Sequence, residues 1–168
     1  MATEPAVDDL VAARQRSGTT ISVCLPARNE EATVGQIVAT VHRNLVDHAP
    51  LVDEVVVMDD GSTDATAEAA AWEGAQVFAV EEVLPDLPRG SGKGNALWKS
   101  LYVCEGDVIV WLDADVRNFG PHFVTRLVGP LLRTHAGTAA PGRTGKEGER
   151  RWRKNRSSAI ASWARSWR

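Results

Sequence analysis

A parallel, doubly wound α/β sheet with helices on both faces is the fold class that this 168-residue chain predicts. Three observations predict it. Short apolar, partly β-branched runs at 21–25, 55–58, 77–80 and 107–112 alternate with helical patterns. The run at 107–112 is almost unbroken, as a strand covered on both faces requires. Polar signatures follow the strands directly, at the carboxyl ends where open α/β sheets bind ligands. The length suits one domain, and 43% hydrophobic with 24% charged residues excludes a collagenous, disordered or disulfide-stapled chain. No apolar run reaches the roughly 18 residues of a membrane span. Residues 1–20 are acidic and polar where a signal peptide is apolar, so a cytoplasmic protein is expected.

Each element has its own signal. Residues 1–19 read as an N-terminal extension. Ile21-Ser-Val-Cys-Leu25 reads as a buried strand ended by Pro26. Asn29 is a plausible N-cap for a helix whose apolar stripe is Val34, Ile37, Val38, Val41 and Leu45, bounded by Pro50. Val55-Val-Val-Met58 is the second strand; Ser62 or Thr63 is the expected cap of an Ala-rich helix that runs to Trp72 and stops at Gly74. Val77-Phe-Ala-Val80 is the third strand, and residues 81–92, rich in acids, Pro and Gly, form a long loop. A helix from Lys93 carries Leu97, Leu101 and Cys104 on one face, the strand at 107–112 follows, and a helix from Pro121 to Leu132 places Phe123, Leu127 and Leu131 on one face. Cys24 and Cys104 lie in apolar runs and read as buried thiols, and the four His lack zinc-ligand spacing.

The net charge of -3 hides an asymmetry. Residues 133–168 hold 10 of the 19 Lys+Arg and 2 of the 22 Asp+Glu, a net of +8, which leaves -11 for residues 1–132. The basic segment has three of the six Trp but Ile160 as its sole branched aliphatic residue, so it cannot build a core of its own. Its Arg, Gly, Ala, Ser and Trp content is that of GC-rich coding DNA read out of frame. The domain organisation expected is therefore an extension at 1–19, a ligand-binding α/β unit at 20–132 and a basic tail at 133–168.

Three motifs carry chemistry. Asp113-Ala114-Asp115 puts two carboxylates where the sheet opens to solvent, and a hard divalent cation completed by phosphate oxygens would relieve their repulsion. The plain alternative is a pair of solvated loop aspartates. Asp59-Asp60-Gly61-Ser62-Thr63-Asp64 is a strand-to-helix turn whose carboxylates can accept the imide N–H of a uracil ring, or simply serve a helix cap. Gly90-Ser-Gly-Lys-Gly94 resembles a phosphate loop without the spacing of a Walker motif or a dinucleotide fingerprint, and a flexible loop with an incidental Lys93 reads equally well.

Taken in order, Pro26-Ala-Arg-Asn-Glu30, Asp59-Asp-Gly-Ser-Thr-Asp64, Gly92-Lys-Gly94 and Asp113-Ala-Asp115 resemble the nucleotide-sugar-binding half of a GT-A glycosyltransferase, whose sheet is Rossmann-like. Gly92-Lys-Gly-Asn-Ala-Leu-Trp98 and Phe123-Val-Thr-Arg-Leu-Val-Gly-Pro-Leu-Leu132 make the chain most similar to the actinobacterial glucosyl-3-phosphoglycerate synthases, over residues 8–132. That resemblance implies glucose transfer from UDP-glucose to 3-phosphoglycerate with retention, Mg²⁺ or Mn²⁺ as cofactor, and a homodimer. It implies that Pro26, Ala27, Arg28 and Glu30 line the uridine pocket and that Asp60 meets the base. Lys93 would face the diphosphate, Asp113 and Ala114 the ribose and metal region, and Asp115 the metal. Arg28, Asp60 and Ala114 depart from the residues more usual there (Leu, Ser and Ser), and the first two lean toward inverting enzymes of the polyprenyl-phosphate sugar type.

No acceptor half is recognisable after residue 132, so reduced or no transfer activity is expected. A non-catalytic nucleotide-binding fragment is the second reading. A third is an interaction protein whose basic tail, with Arg150-Arg-Trp-Arg-Lys-Asn-Arg156, engages nucleic acid or an anionic surface; on the leading reading nucleic acid is not expected as a partner.

Overall fold

The computed structural model describes residues 6–86, 90 and 92–135. Strands β1 (Ile21–Ala27), β2 (Glu54–Asp59), β3 (Gln76–Ala79) and β4 (Val108–Trp111) form one parallel sheet in the order β3-β2-β1-β4. Helices α1 (Val7–Ser17), α2 (Val34–Val41), α3 (Thr66–Trp72), α4 (Lys93–Val103) and α5 (His122–His135) surround it. The α/β class with a parallel sheet is as the sequence predicts.

The two-residue period of the strands sorts the core into two layers. Ile21, Val23, Leu25, Val55, Val57 and Val110 pack with Leu10 of α1, Ile37 and Val38 of α2, Ala70 of α3 and Val124 and Val128 of α5. On the other face Cys24, Val56 and Met58 meet Ala96 of α4 and the loop residues Val80 and Val83. Both cysteines are buried and free. Among the described residues no helix is long and apolar enough to cross a membrane.

Several local expectations are corrected. The stretch read as an extension contains α1, whose Leu10 and Ala13 are buried in the core. Its Arg14 forms an ion pair with Asp53 and donates to the Pro50 carbonyl at 3.1 Å. The α2 stripe is buried as read, but Asn29 does not cap the helix: it takes a left-handed conformation (φ 57°) four residues before the helix's own N-cap position at Thr33. After Val41 the helix widens into a π-helical segment, His42–His48, which keeps Leu45 in the core. Neither Ser62 nor Thr63 caps α3, which starts at Thr66.

The buried side of α4 is Asn95, Ala96, Lys99 and Ser100, with Leu97 and Leu101 only half-buried. Polar anchors set this rotation: Lys99 Nζ donates to the Val80 carbonyl at 2.7 Å, and Ser100 Oγ accepts the Trp111 indole N–H at 3.0 Å. Trp111 itself is 44% exposed: among the described residues β4 pairs with β1 alone and lacks the full cover its apolar run predicts. On α5 the core-facing residues are Val124, Val128 and Leu132, while Phe123, Leu127 and Leu131 share a face that is solvent-exposed. The same helix runs to His135, past the expected boundary at 132. The rest of the basic tail lies outside the described residues.

Leu10 is 1% exposed. Leu10→Ala should therefore lower unfolding free energy by about 2–5 kcal/mol. An unchanged midpoint in urea titration would show that α1 is no part of the core.

Candidate functional site

The carboxyl ends of β1, β2 and β4 open onto one cleft of about 320 Å³. Pro26 and Ala27 form its floor at the end of β1, with Arg28 and Glu30 on the loop that follows. A proline in a central strand ordinarily removes a ladder bond. Here it removes none. Cys24 accepts the Leu112 N–H at 3.0 Å, so alternate β1 residues present their backbone groups to β4, and Pro26 faces that side beyond the end of β4.

From the β2 side comes Asp60, from the start of α4 Gly92, Lys93 and Ala96, and from the segment after β4 Asp113, Ala114 and Asp115. All nine residues singled out in the sequence thus line one cleft. Gly92 and Ala96 were not singled out. Gly92 stood within the Gly-Ser-Gly-Lys-Gly motif; Ala96, one helical turn further on, carried no sequence signal.

Neighbouring aspartates do different work. Asp59 Oδ1 accepts both the N–H (3.1 Å) and the hydroxyl of Ser62, closing the turn after β2, where Gly61 adopts φ 75°. Asp60 turns into the cleft, and its Oδ2 accepts the Gly92 N–H at 2.9 Å. That bond ties the β2 loop to the first turn of α4. Lys93 pairs with Asp113 across the cleft mouth, both side chains being more than half exposed.

The loops after β1 and β2 are clasped together. Asn29 N–H donates to Ser62 Oγ at 3.0 Å, and Asn29 Oδ1 accepts the Thr63 N–H at 2.8 Å, which explains its left-handed backbone. Glu30 N–H donates to the buried Thr66 hydroxyl oxygen at 2.8 Å. Glu31 Oε2 accepts the Ala65 N–H at 2.9 Å, while Glu31 N–H donates to Asp64 Oδ2 at 3.2 Å. The Thr66 hydroxyl donating to Asp64, helped by the N–H groups of Glu31 and Thr66, holds the Asp64 carboxyl below its ordinary value.

Four carboxylates (Glu30, Asp60, Asp113, Asp115) and two cations (Arg28, Lys93) line the cleft, an excess of negative charge. Among the described residues no three His, Cys, Asp or Glu side chains converge to cage a metal. What Asp113 and Asp115 offer is hard oxygen on a solvent-facing rim, which fits Mg²⁺ or Mn²⁺ held by one or two carboxylates and otherwise by substrate phosphates.

A parallel sheet with a charged cleft at its switch point, bounded by a glycine-led helix start and an Asp-X-Asp rim, has the geometry of a ligand-binding α/β unit. The chain belongs to Glycosyl transferase family 2, whose sequence profile matches residues 22–168, a span that runs through the basic segment. It is 48% identical to the glucosyl-3-phosphoglycerate synthase of Mycolicibacterium smegmatis over 126 residues, 75% of this chain and 40% of that protein. The crystal structure of glucosyl-3-phosphoglycerate synthase from Mycobacterium tuberculosis in complex with Mn²⁺, UDP and glucosyl-3-phosphoglycerate superposes with a TM-score of 0.71. That pair is 46% identical and covers 79% of this chain and 46% of that one. Mannosyl-3-phosphoglycerate synthase from Rubrobacter xylanophilus matches with a TM-score of 0.73 at 37% identity, over 82% and 42% of the two chains. The chain spans about two fifths of the length of the curated synthases it matches.

The lowered carboxyl of Asp64 gives a signed pH dependence. A depressed acid stabilises the fold above its unfolded-state value of about 3.9 and loses that contribution as the pH falls through the folded one. Asp64→Asn also turns an amide N–H toward that of Glu31. Its melting temperature should therefore lie below the parent's at pH 7, with the gap closing only below the ordinary Asp range. A gap as wide at pH 2 as at pH 7 would refute the role of the charge.

Proposed function

We propose that this chain binds a uridine-diphosphate sugar, UDP-glucose, in the cleft, and that the protein it represents transfers glucose from it to 3-phosphoglycerate with retention. The observation that carries the reading is the convergence of Pro26, Arg28, Glu30, Asp60, Lys93 and Asp113–Asp115 on one cleft, together with relatives whose solved complexes hold UDP, Mn²⁺ and glucosyl-3-phosphoglycerate.

Pro26, Ala27, Arg28 and Glu30 wall the uridine, and Asp60, with one oxygen engaged by Gly92, keeps the other for the imide N–H of the base. Lys93 and the first turn of α4 face the diphosphate, where a helix start favours anions. Asp113 and Ala114 border the ribose, and Asp115 with Asp113 would hold Mg²⁺ or Mn²⁺. Such an ion supplies charge neutralisation to the diphosphate as the bond from the anomeric carbon to it breaks. In the transfer the 3-phosphoglycerate hydroxyl oxygen forms the new bond to that carbon, loses its proton, and UDP leaves.

Among the described residues none is assigned to hold the acceptor hydroxyl in line with the anomeric carbon, and that alignment carries much of a transferase's rate. The reading for these 168 residues is therefore donor binding with little or no transfer. A calorimetric titration of UDP with and without Mn²⁺, run beside a glucose-transfer assay, tests both halves. Asp115→Ala should abolish the Mn²⁺ enhancement of UDP binding while leaving the melting temperature within a degree or two of the parent's, since an exposed rim carboxylate adds little to the core. Undiminished enhancement would overturn the metal assignment.

Asp60→Ala should weaken UDP by about ten- to a hundredfold, the worth of one charge-assisted hydrogen bond. Because Asp60 also ties down Gly92, the informative comparison is between UDP and inorganic diphosphate, and only the nucleotide should lose affinity. Equal losses would make Asp60 a loop tether rather than a base-reading residue.

A further inference from the structure

The two cleft-rim carboxylates lie where the sheet no longer supports them. The last bond from β1 in that direction is Leu112 N–H to the Cys24 carbonyl, at 3.0 Å, and among the described residues no backbone hydrogen bond holds 113–115 beyond it. Asp113 and Asp115 are exposed, whereas Ala114 between them is 4% exposed, its methyl in the core shared with α2 and β1. A methyl in a core fixes where a residue sits but leaves its peptide planes free to rock. The Ala114 carbonyl is therefore the group whose restraint decides where Asp115 points.

That carbonyl accepts the hydroxyl of Thr33 at 2.6 Å, across 81 residues of sequence. Thr33 stands at the N-cap position of α2, yet its side chain makes no capping bond to the helix. Two other acceptors, the Glu30 carbonyl and Glu30 Oε2, lie at 3.4 Å, and a hydroxyl has one proton to give, so the Ala114 carbonyl takes it. Thr33 N–H in turn donates to the Glu30 carbonyl at 3.1 Å. One residue thus links the loop beside the uridine pocket to the peptide plane that carries Asp115.

We propose that Thr33 is a positioning residue for the Asp113-Ala-Asp115 rim, orienting Asp115 toward a divalent cation without touching the cation itself. The inference rests on the metal reading given above. Groups that orient a metal ligand typically alter metal affinity by about 10- to 100-fold when removed, even though they never contact the ion.

Mn²⁺ titration of the UDP-saturated 168-residue protein, followed by the electron paramagnetic resonance of free Mn²⁺, tests it with parent, Thr33→Val, Thr33→Ala, Thr33→Ser and Asp115→Ala. Thr33→Val, which keeps the shape and loses the proton, and Thr33→Ala should each weaken Mn²⁺ by about tenfold. Metal-free UDP affinity should fall in both by much less than the Mn²⁺ affinity does. Thr33→Ser restores the donor and should bind Mn²⁺ within about twofold of the parent. Parent-like Mn²⁺ affinity in Thr33→Val or Thr33→Ala overturns the proposal, as does a Thr33→Ser as weak as either. Parallel losses of metal-free UDP binding would mark general damage to the cleft and overturn it too. If parent and Asp115→Ala bind Mn²⁺ alike, the metal reading itself has failed, an outcome distinct from the others.

Discussion

Strand β1 hydrogen-bonds along both edges, with Val23 in register with Val55 on one side and Val110 on the other, and its residues Ile21–Leu25 are fully buried. Everything in the cleft is placed relative to this one strand. A buried backbone has no water to fall back on, so its ladder must be complete and its neighbours fixed in register. The end of β1 then becomes the point at which three chain segments leave the sheet together. Pro26 is tolerated there because β4 has already ended on the side its ring faces.

Beyond the strand ends, order comes from side chains rather than from the ladder. The clasp through Asn29, Glu31, Asp64 and Thr66 joins the loops after β1 and β2, Asp60 joins the β2 loop to α4 through Gly92, and Thr33 joins the start of α2 to Ala114. Each tie is a hydrogen bond of modest net worth, about 0.5–1.5 kcal/mol. Together they close a ring around the cleft. The carboxylates that do not spend their oxygens on this ring stand on the rim, and Lys93 answers one of them.

The apolar surface is divided less evenly. Five helices cover the described sheet, yet the outer edge of β4 has no neighbour among the described residues, and Trp111, Phe123, Leu127 and Leu131 are substantially exposed. The synthases to which the chain is similar are nearly twice its length. A covered edge strand would carry Trp111 inside; here its indole N–H finds Ser100 while its ring meets solvent.

The sequence by itself determined the strands, their parallel sense and the polar motifs at their ends, because a period of two or 3.6 and a polar motif at a strand end are local signals. The nine cleft residues were reached through the resemblance to the GT-A glycosyltransferases. It also determined that the α2 stripe from Val34 to Leu45 would be buried. What only the tertiary structure decided were matters set by partners distant in sequence. Asn29 reads as a helix cap until Thr63, 34 residues away, claims its side chain. Ser62 reads likewise until Asp59 and Asn29 engage it, and the face of α4 turned inward carries Lys99 and Ser100 rather than Leu97 and Leu101, while that of α5 carries Val124, Val128 and Leu132. Thr33 carried no sequence signal at all, since its hydroxyl acts 81 residues downstream, and a hydrogen bond between remote segments exists only once the sheet has brought them together.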